Sequence, residues 1–126
     1  MKYQKIDITN DKSLETPSEQ ISLGQFAFNG SKIKIKSIFV SCNFSEADDE
    51  GNKTIAVNLK FGSNTKNAKW FLPTPFNLSA EKEMQAKAAN ITFSEAQEIV
   101  AGQFLWVYLT GIKGRVSSLS IAVNYA

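Results

Sequence analysis

Apolar and polar residues alternate with a period of two through most of this chain. At positions 54–61 the odd residues Ile55, Val57, Leu59 and Phe61 are large and apolar while the even ones are small or polar, which describes a strand with one buried face. Positions 118–125 repeat the pattern, with Leu119, Ile121, Val123 and Tyr125 facing in and Ser118, Ser120, Ala122 and Asn124 facing out. This places the end of the chain inside a sheet. Positions 103–110 are apolar on both faces, so they read as a central strand or as one whose outer aromatic face is covered.

Earlier in the chain, the apolar segments 21–28 and 32–44 flank Asn29-Gly30, a dipeptide suited to a tight hairpin turn, and a hairpin is expected there. In the second arm Ile33 and Ile35 lie on odd positions but Ile38, Val40, Cys42 and Phe44 lie on even ones. The inward face therefore changes around Lys36-Ser37, through a β-bulge or a crossing between sheets. Asp48-Asp49-Glu50-Gly51-Asn52 makes one polar loop and residues 62–67 another, while Trp70-Phe71-Leu72 is a short element stopped by Pro73 and Pro75.

Residues 79–99 carry conflicting signals. Ala80 to Lys87 are good helix formers, yet Met84, Ala86 and Ala88 alternate with polar neighbours and Ile91-Thr92-Phe93 favours extended backbone. A strand over 84–93 suits the β surroundings, followed by a short helical turn over 94–99 in which Ser94 and Gln97 form a capping box. Strands at 3–9, 21–28, 32–44, 54–61, 69–72, 84–93, 104–109 and 117–125 then make about eight, with connections too short for βαβ crossovers. The expectation is an all-β, antiparallel two-sheet sandwich of jelly-roll type, with an immunoglobulin-like sandwich as the alternative, in one domain over residues 1–126.

Composition narrows the chemistry. The chain has 126 residues, 43% hydrophobic and 21% charged, and 14 Lys and Arg against 12 Asp and Glu leave a formal charge of +2. It has no histidine, which removes Ser-His-Asp and Cys-His nucleophile pairs, imidazole general bases and histidine metal ligands. The single cysteine, Cys42, excludes an internal disulfide and a multi-cysteine zinc site, and it reads as a small core residue. The charged amino-terminal stretch does not read as a signal peptide and no apolar run approaches a membrane span, so a chain made in the cytoplasm is expected. Its Asn-x-Ser/Thr triplets then reflect composition. No cofactor is expected, and no enzymatic activity.

Candidate sites follow from residue type. Asp48, Asp49 and Glu50 offer hard oxygen ligands for calcium, though without an EF-hand spacing, and solvated acids are the simpler reading. Glu81, Glu83, Glu95 and Glu98 would be the raw material of a glycosidase-like pair, but nothing sets their separation. Lys32, Lys34 and Lys36 share a strand face and would contact acidic partners or phosphates, or guard a sheet edge. With Arg115 the only arginine, nucleic acid is the weaker option. Trp70, Phe71, Phe104, Trp106 and Tyr108 are the aromatic interaction candidates, for a protein interface or for stacking on a glycan.

In texture the chain resembles the small β-sandwich structural proteins of tailed bacteriophages, such as head decoration, head-fibre or tail accessory subunits. The resemblance rests on a histidine-free, Asn/Ser/Lys-rich chain ending in Phe104-Leu105-Trp106-Val107-Tyr108-Leu109-Thr110-Gly111 and Ser117-Ser118-Leu119-Ser120-Ile121. It implies a virion protein that works by surface contact and assembly, through self-association or binding to a capsid or tail lattice. A non-catalytic carbohydrate-binding module or phage adhesin is the other reading, with Trp70, Trp106 or Tyr108 stacking on sugar.

Overall fold

The computed structural model describes residues 2–9, 21–28, 32–64, 66–81 and 84–126. The described residues form nine strands: β1 (Lys2–Thr9), β2 (Ile21–Ala27), β3 (Lys32–Glu46), β4 (Thr54–Gly62), β5 (Lys69–Trp70), β6 (Phe76–Ser79), β7 (Ala86–Val100), β8 (Phe104–Lys113) and β9 (Arg115–Tyr125). Among the described residues there is no helix. Sheet A has the order β1-β9-β3-β7 and sheet B the order β2-β8-β4-β5, with β6 also on β4. Every pairing is antiparallel.

The pairing is nested. β1 pairs β9, β2 pairs β8, β3 pairs β7, and β4 pairs β5 and β6, so the chain is one long folded ribbon rolled over on itself. Rolling brings β9 against β3 and β8 against β4, which closes each sheet. This is the topology of a jelly roll, in which the chain crosses between sheets at every step except the turn from β4 to β5 and β6. An immunoglobulin-like order does not nest the chain in this way.

The core lies between the sheets. Sheet A contributes Ile35, Ile38, Val40, Phe44, Leu119 and Ile121, and sheet B contributes Phe26, Ile55, Val57, Leu59, Leu105 and Leu109, all buried. Each sits at the in-facing position of its alternation, so burial rather than backbone preference sets the register. At roughly 25 cal/mol per Å² of apolar surface, this two-sided core is the dominant stabilising term.

The inward face of β3 switches where its sequence pattern breaks. Both ladders pass from Ile35 directly to Ser37, leaving Lys36 without a cross-strand partner, half-buried at a bulge. Opposite it, β7 runs from Thr92 to Gln97, so residues 93–96 face a single position of β3.

Three expectations are corrected. The segments flanking Asn29-Gly30 are not a hairpin: β2 belongs to sheet B and β3 to sheet A, because each faces the core from opposite sides and finds its ladder elsewhere. The turn dipeptide lies outside the described residues. Residues 94–99 are extended, not helical, since Ile99 is buried opposite Ile33 and Gln97 stands opposite Ile35. Two ladder positions and a buried side chain outweigh one capping box. Finally, β3 is an interior strand, so Lys32 and Lys34 guard no sheet edge.

Strand β6 has no counterpart in the sequence reading. Trp70 faces Lys60 and Phe76 faces Val57, so β5 and β6 occupy two ends of the same edge of β4. The intervening residues 71–75 hold Pro73 and Pro75, which cannot complete a ladder. Phe71 and Leu72 leave the strand here. Phe71 packs between Phe61 and Phe93, at ring centroids 5.9 and 5.7 Å, and closes one side of the sandwich.

Candidate functional site

Four of the five aromatic candidates, Trp70, Phe104, Trp106 and Tyr108, lie on the outer face of sheet B, while Phe71 packs against the core. Alternation along β8 turns Leu105, Val107 and Leu109 inward and Phe104, Trp106 and Tyr108 outward. Across the strands, Gln25 of β2, Trp106 of β8, Lys60 of β4 and Trp70 of β5 form one row. Trp106 is only 6% exposed, and its Nε1 donates to Oε1 of Gln25 at 2.9 Å. The centre of the aromatic row is therefore covered by the chain itself. The Phe104 ring lies tilted against Trp106 at 5.7 Å.

Trp70 differs, being 41% exposed. Its ring stands edge-on to Tyr108 at 5.7 Å, and the Lys60 ammonium sits 4.4 Å from the Trp70 centroid and 4.8 Å from that of Tyr108. The cation meets the electron-rich faces of both rings and fixes their geometry. Trp70 is also anchored through its neighbours. Phe71 N donates to Leu59 O at 2.7 Å, and buried Asn58 holds Leu72 by donating from Nδ2 to its carbonyl and accepting from its N–H on Oδ1, both at 3.2 Å.

The outer face of sheet A is of another kind. Rows across its four strands read Lys5–Ala122–Phe39–Asn90 and Asp7–Ser120–Ser41–Ala88, with Tyr3–Asn124–Ser37–Thr92 beside them. Small side chains keep it low, and its amides are tied down laterally: Asn124 Nδ2 donates to Ser37 Oγ at 2.9 Å and Asn43 Nδ2 to Ser118 Oγ at 3.0 Å. A shallow concavity of about 660 Å³ lies over Ser41, Ala88, Ser118 and Ser120, with Lys5 and Asp7 on its rim. Two aromatic side chains stand out of this low face, Tyr3 at 69% exposed and Phe39 at 40%.

The remaining candidates are placed as follows. Asp48 serves its own loop: its Oδ1 accepts from the N–H of Glu50 at 3.0 Å and of Asn52 at 2.7 Å, a side-chain staple of the turn. Asp49 and Glu50 are exposed, and among the described residues no group of three or more acidic or cysteine side chains is gathered to hold a metal. Lys32 lies 3.9 Å from Glu98, both well exposed; Lys34 is exposed, and Lys36 is apart from them at the bulge. Glu81 and Glu95 are exposed on separate segments, and Glu83 lies outside the described residues. Cys42 is buried, and burial pushes its thiol up to about 11.

Sequence reasoning missed Lys60, Tyr3 and Phe39. Phe39 was legible, since it alternates outward between Ile38 and Val40, as was Tyr3 on the parity of Lys5 and Asp7. Lys60 was not, because its role depends on which strands flank β4.

No protein-family model and no curated protein matches the chain. Among solved structures it is similar to one chain in the structure of infectious bursal disease virus, Gx strain, at 9% identity and a TM-score of 0.22, over 99% of this chain and 42% of that one. The chain spans under half the length of that match, and a likeness this slight carries no argument.

Proposed function

We propose that this chain is a non-enzymatic structural subunit that works by protein–protein assembly and, following the resemblance to small phage sandwich proteins, that it is a virion accessory component of the capsid decoration, head-fibre or tail class. The observation that carries the reading is the outer face of sheet A. It is broad, low and built of Ser, Ala and Asn, and it bears the exposed rings of Tyr3 and Phe39. A small-molecule site encloses its ligand, whereas the concavity on this face is shallow and open, so the face matches another broad surface, with the rings as anchors. The partner is then protein, either a further copy or a lattice.

The test is the solution mass across a concentration series, by light scattering coupled to size exclusion, for the native chain and for Tyr3→Ser and Phe39→Ser. A defined oligomer that shrinks in either variant supports the reading. A chain monomeric at every concentration refutes self-assembly.

A second reading has its own observation, the exposed Trp70 beside Tyr108 and Lys60. A rigid aromatic ring with a cation at hand suits stacking on a sugar, with the ammonium donating to hydroxyls. A glycan array with Trp70→Ala as control separates the two: binding lost in that variant supports a carbohydrate-binding module or adhesin, and a blank array rejects it.

A further inference from the structure

Sheet A ends on two edges of unlike construction. On β7, residues 93–96 bulge opposite Lys36 and break the edge. β1 is unbroken. Its eight residues keep one register against β9 from Lys2↔Tyr125 to Thr9↔Ser118, with neither proline nor glycine, and among the described residues no strand pairs its other side. A regular free edge is a template for another strand unless charge or shape blocks it.

β1 does carry charge, and the order of signs decides its effect. Lys5 and Asp7 lie on the outer face 3.4 Å apart, each at least half exposed. Consider β1 antiparallel to a second copy about a two-fold axis normal to the sheet. Outer-face residues must stay on one side of a continuous sheet, so facing residues share parity and the axis passes through a residue. An axis at residue 5 sets Lys5 against the second copy's Lys5, and one at residue 7 sets Asp7 against the second copy's Asp7. With the axis at Ile6, both pairs are opposed in sign: Lys5 faces the second copy's Asp7 and Asp7 faces its Lys5. Ile6, half-buried on the core side, then meets Ile6 of the second copy.

We propose that the chain pairs with a second copy of itself through the edge of β1 that no described strand pairs, in antiparallel register centred on Ile6, to form a continuous eight-stranded sheet β7-β3-β9-β1-β1-β9-β3-β7. The occupant is a second copy because the charge pattern is self-complementary in one register and repulsive in the registers on either side. Edge charges that usually forbid pairing here select it. The inference rests on the assembly reading and names its partner, edge and register.

The experiment uses the full chain with Lys5→Asp, Asp7→Lys and the exchange of both. Each single reversal converts two attractive cross-strand pairs into two repulsive ones. It should weaken the dimer at least about tenfold in dissociation constant, read by light scattering over concentration. The double exchange restores opposite signs at both pairs and should return the constant to within about threefold of native. Circular dichroism checks that each variant is folded, as expected for two exposed positions. Independently, Ile6→Cys should give a covalent dimer on oxidation, since facing Cα atoms across an antiparallel pair lie within disulfide reach. A double exchange no better than the single reversals overturns the register. An oligomer that ignores both reversals but dissociates in Phe39→Ser overturns the edge pairing and leaves the assembly reading standing. A chain monomeric at every concentration overturns both.

Discussion

Trp106 is the sharpest test of whether the outer aromatic row belongs to the fold or to a partner. In Trp106→Ala the whole indole is removed from a position that the isolated chain already covers. Burying a ring of roughly 150–250 Å² at about 25 cal/mol per Å² contributes about 4–6 kcal/mol before relaxation. The hydrogen bond to Gln25 adds little to the loss, because Gln25 is exposed and its amide regains water rather than being orphaned. The tilted Phe104 ring can partly fill the space, so the expected cost is about 3–4 kcal/mol, within the usual span for deleting a large aromatic. In a domain of this size that corresponds to a melting temperature lower by roughly 10–15 °C. The assay is urea and thermal unfolding followed by circular dichroism, with Trp106→Phe as the control that keeps an aromatic ring, gives up the indole N–H and part of the volume, and loses only about 1–2 kcal/mol. A change below about 1 kcal/mol for Trp106→Ala, together with an altered solution mass, would refute the reasoning and return the ring to an interface.

Further outcomes follow from other positions. Asn58→Leu should cost about 2–4 kcal/mol, because the Leu72 N–H and carbonyl lose their buried partner, and the loosened segment should shift Trp70 fluorescence. Gly114 has φ +86 and a Cβ there would meet Glu46 O at 2.6 Å and Asn52 O at 3.0 Å, whereas Gly102 has φ +81 with open space around it. Gly114→Ala should therefore abolish folding or cost well over 2 kcal/mol, and Gly102→Ala only about 1 kcal/mol, in the same unfolding assay. Cys42 should resist iodoacetamide in the native chain at pH 8 and react on unfolding. Its neutral thiol is favoured in the fold, so that contribution to stability is complete below the ordinary value of 9.0 and is lost as pH rises through about 11.

Much of the architecture could be read because burial and alternation report the same fact. The inward sets of β4 and β9, the break at Lys36 and the interior position of β8 were visible as parities of Ile, Val and Leu. Failures occurred where the answer lay in pairing. Asn29-Gly30 carries a hairpin signal, yet its arms join different sheets, because local turn chemistry says nothing of which strand each arm will face. Ser94 and Gln97 carry a helix signal, overridden by contacts to Ile33 and Ile35 more than sixty positions earlier. Of the surfaces, the aromatic residues were identified by type, but not that Trp106 is covered while Trp70 stands open. That difference comes from Gln25 and the position of Trp70 on a short edge strand.

The nested pairing also bears on how such a chain comes off the ribosome. β1 is synthesised long before its ladder partner β9, with Lys2 facing Tyr125. At roughly 5–20 residues per second β1 waits on the order of ten seconds with both sides unpaired. Its spacing of Lys2, Lys5 and Asp7 among apolar residues keeps that nascent segment in water during the interval. Because β9 lies between β1 and β3, β1 cannot join sheet A until β9 has been made. Assembly of sheet A in this topology therefore waits on β9, which acts as the latch between β1 and β3.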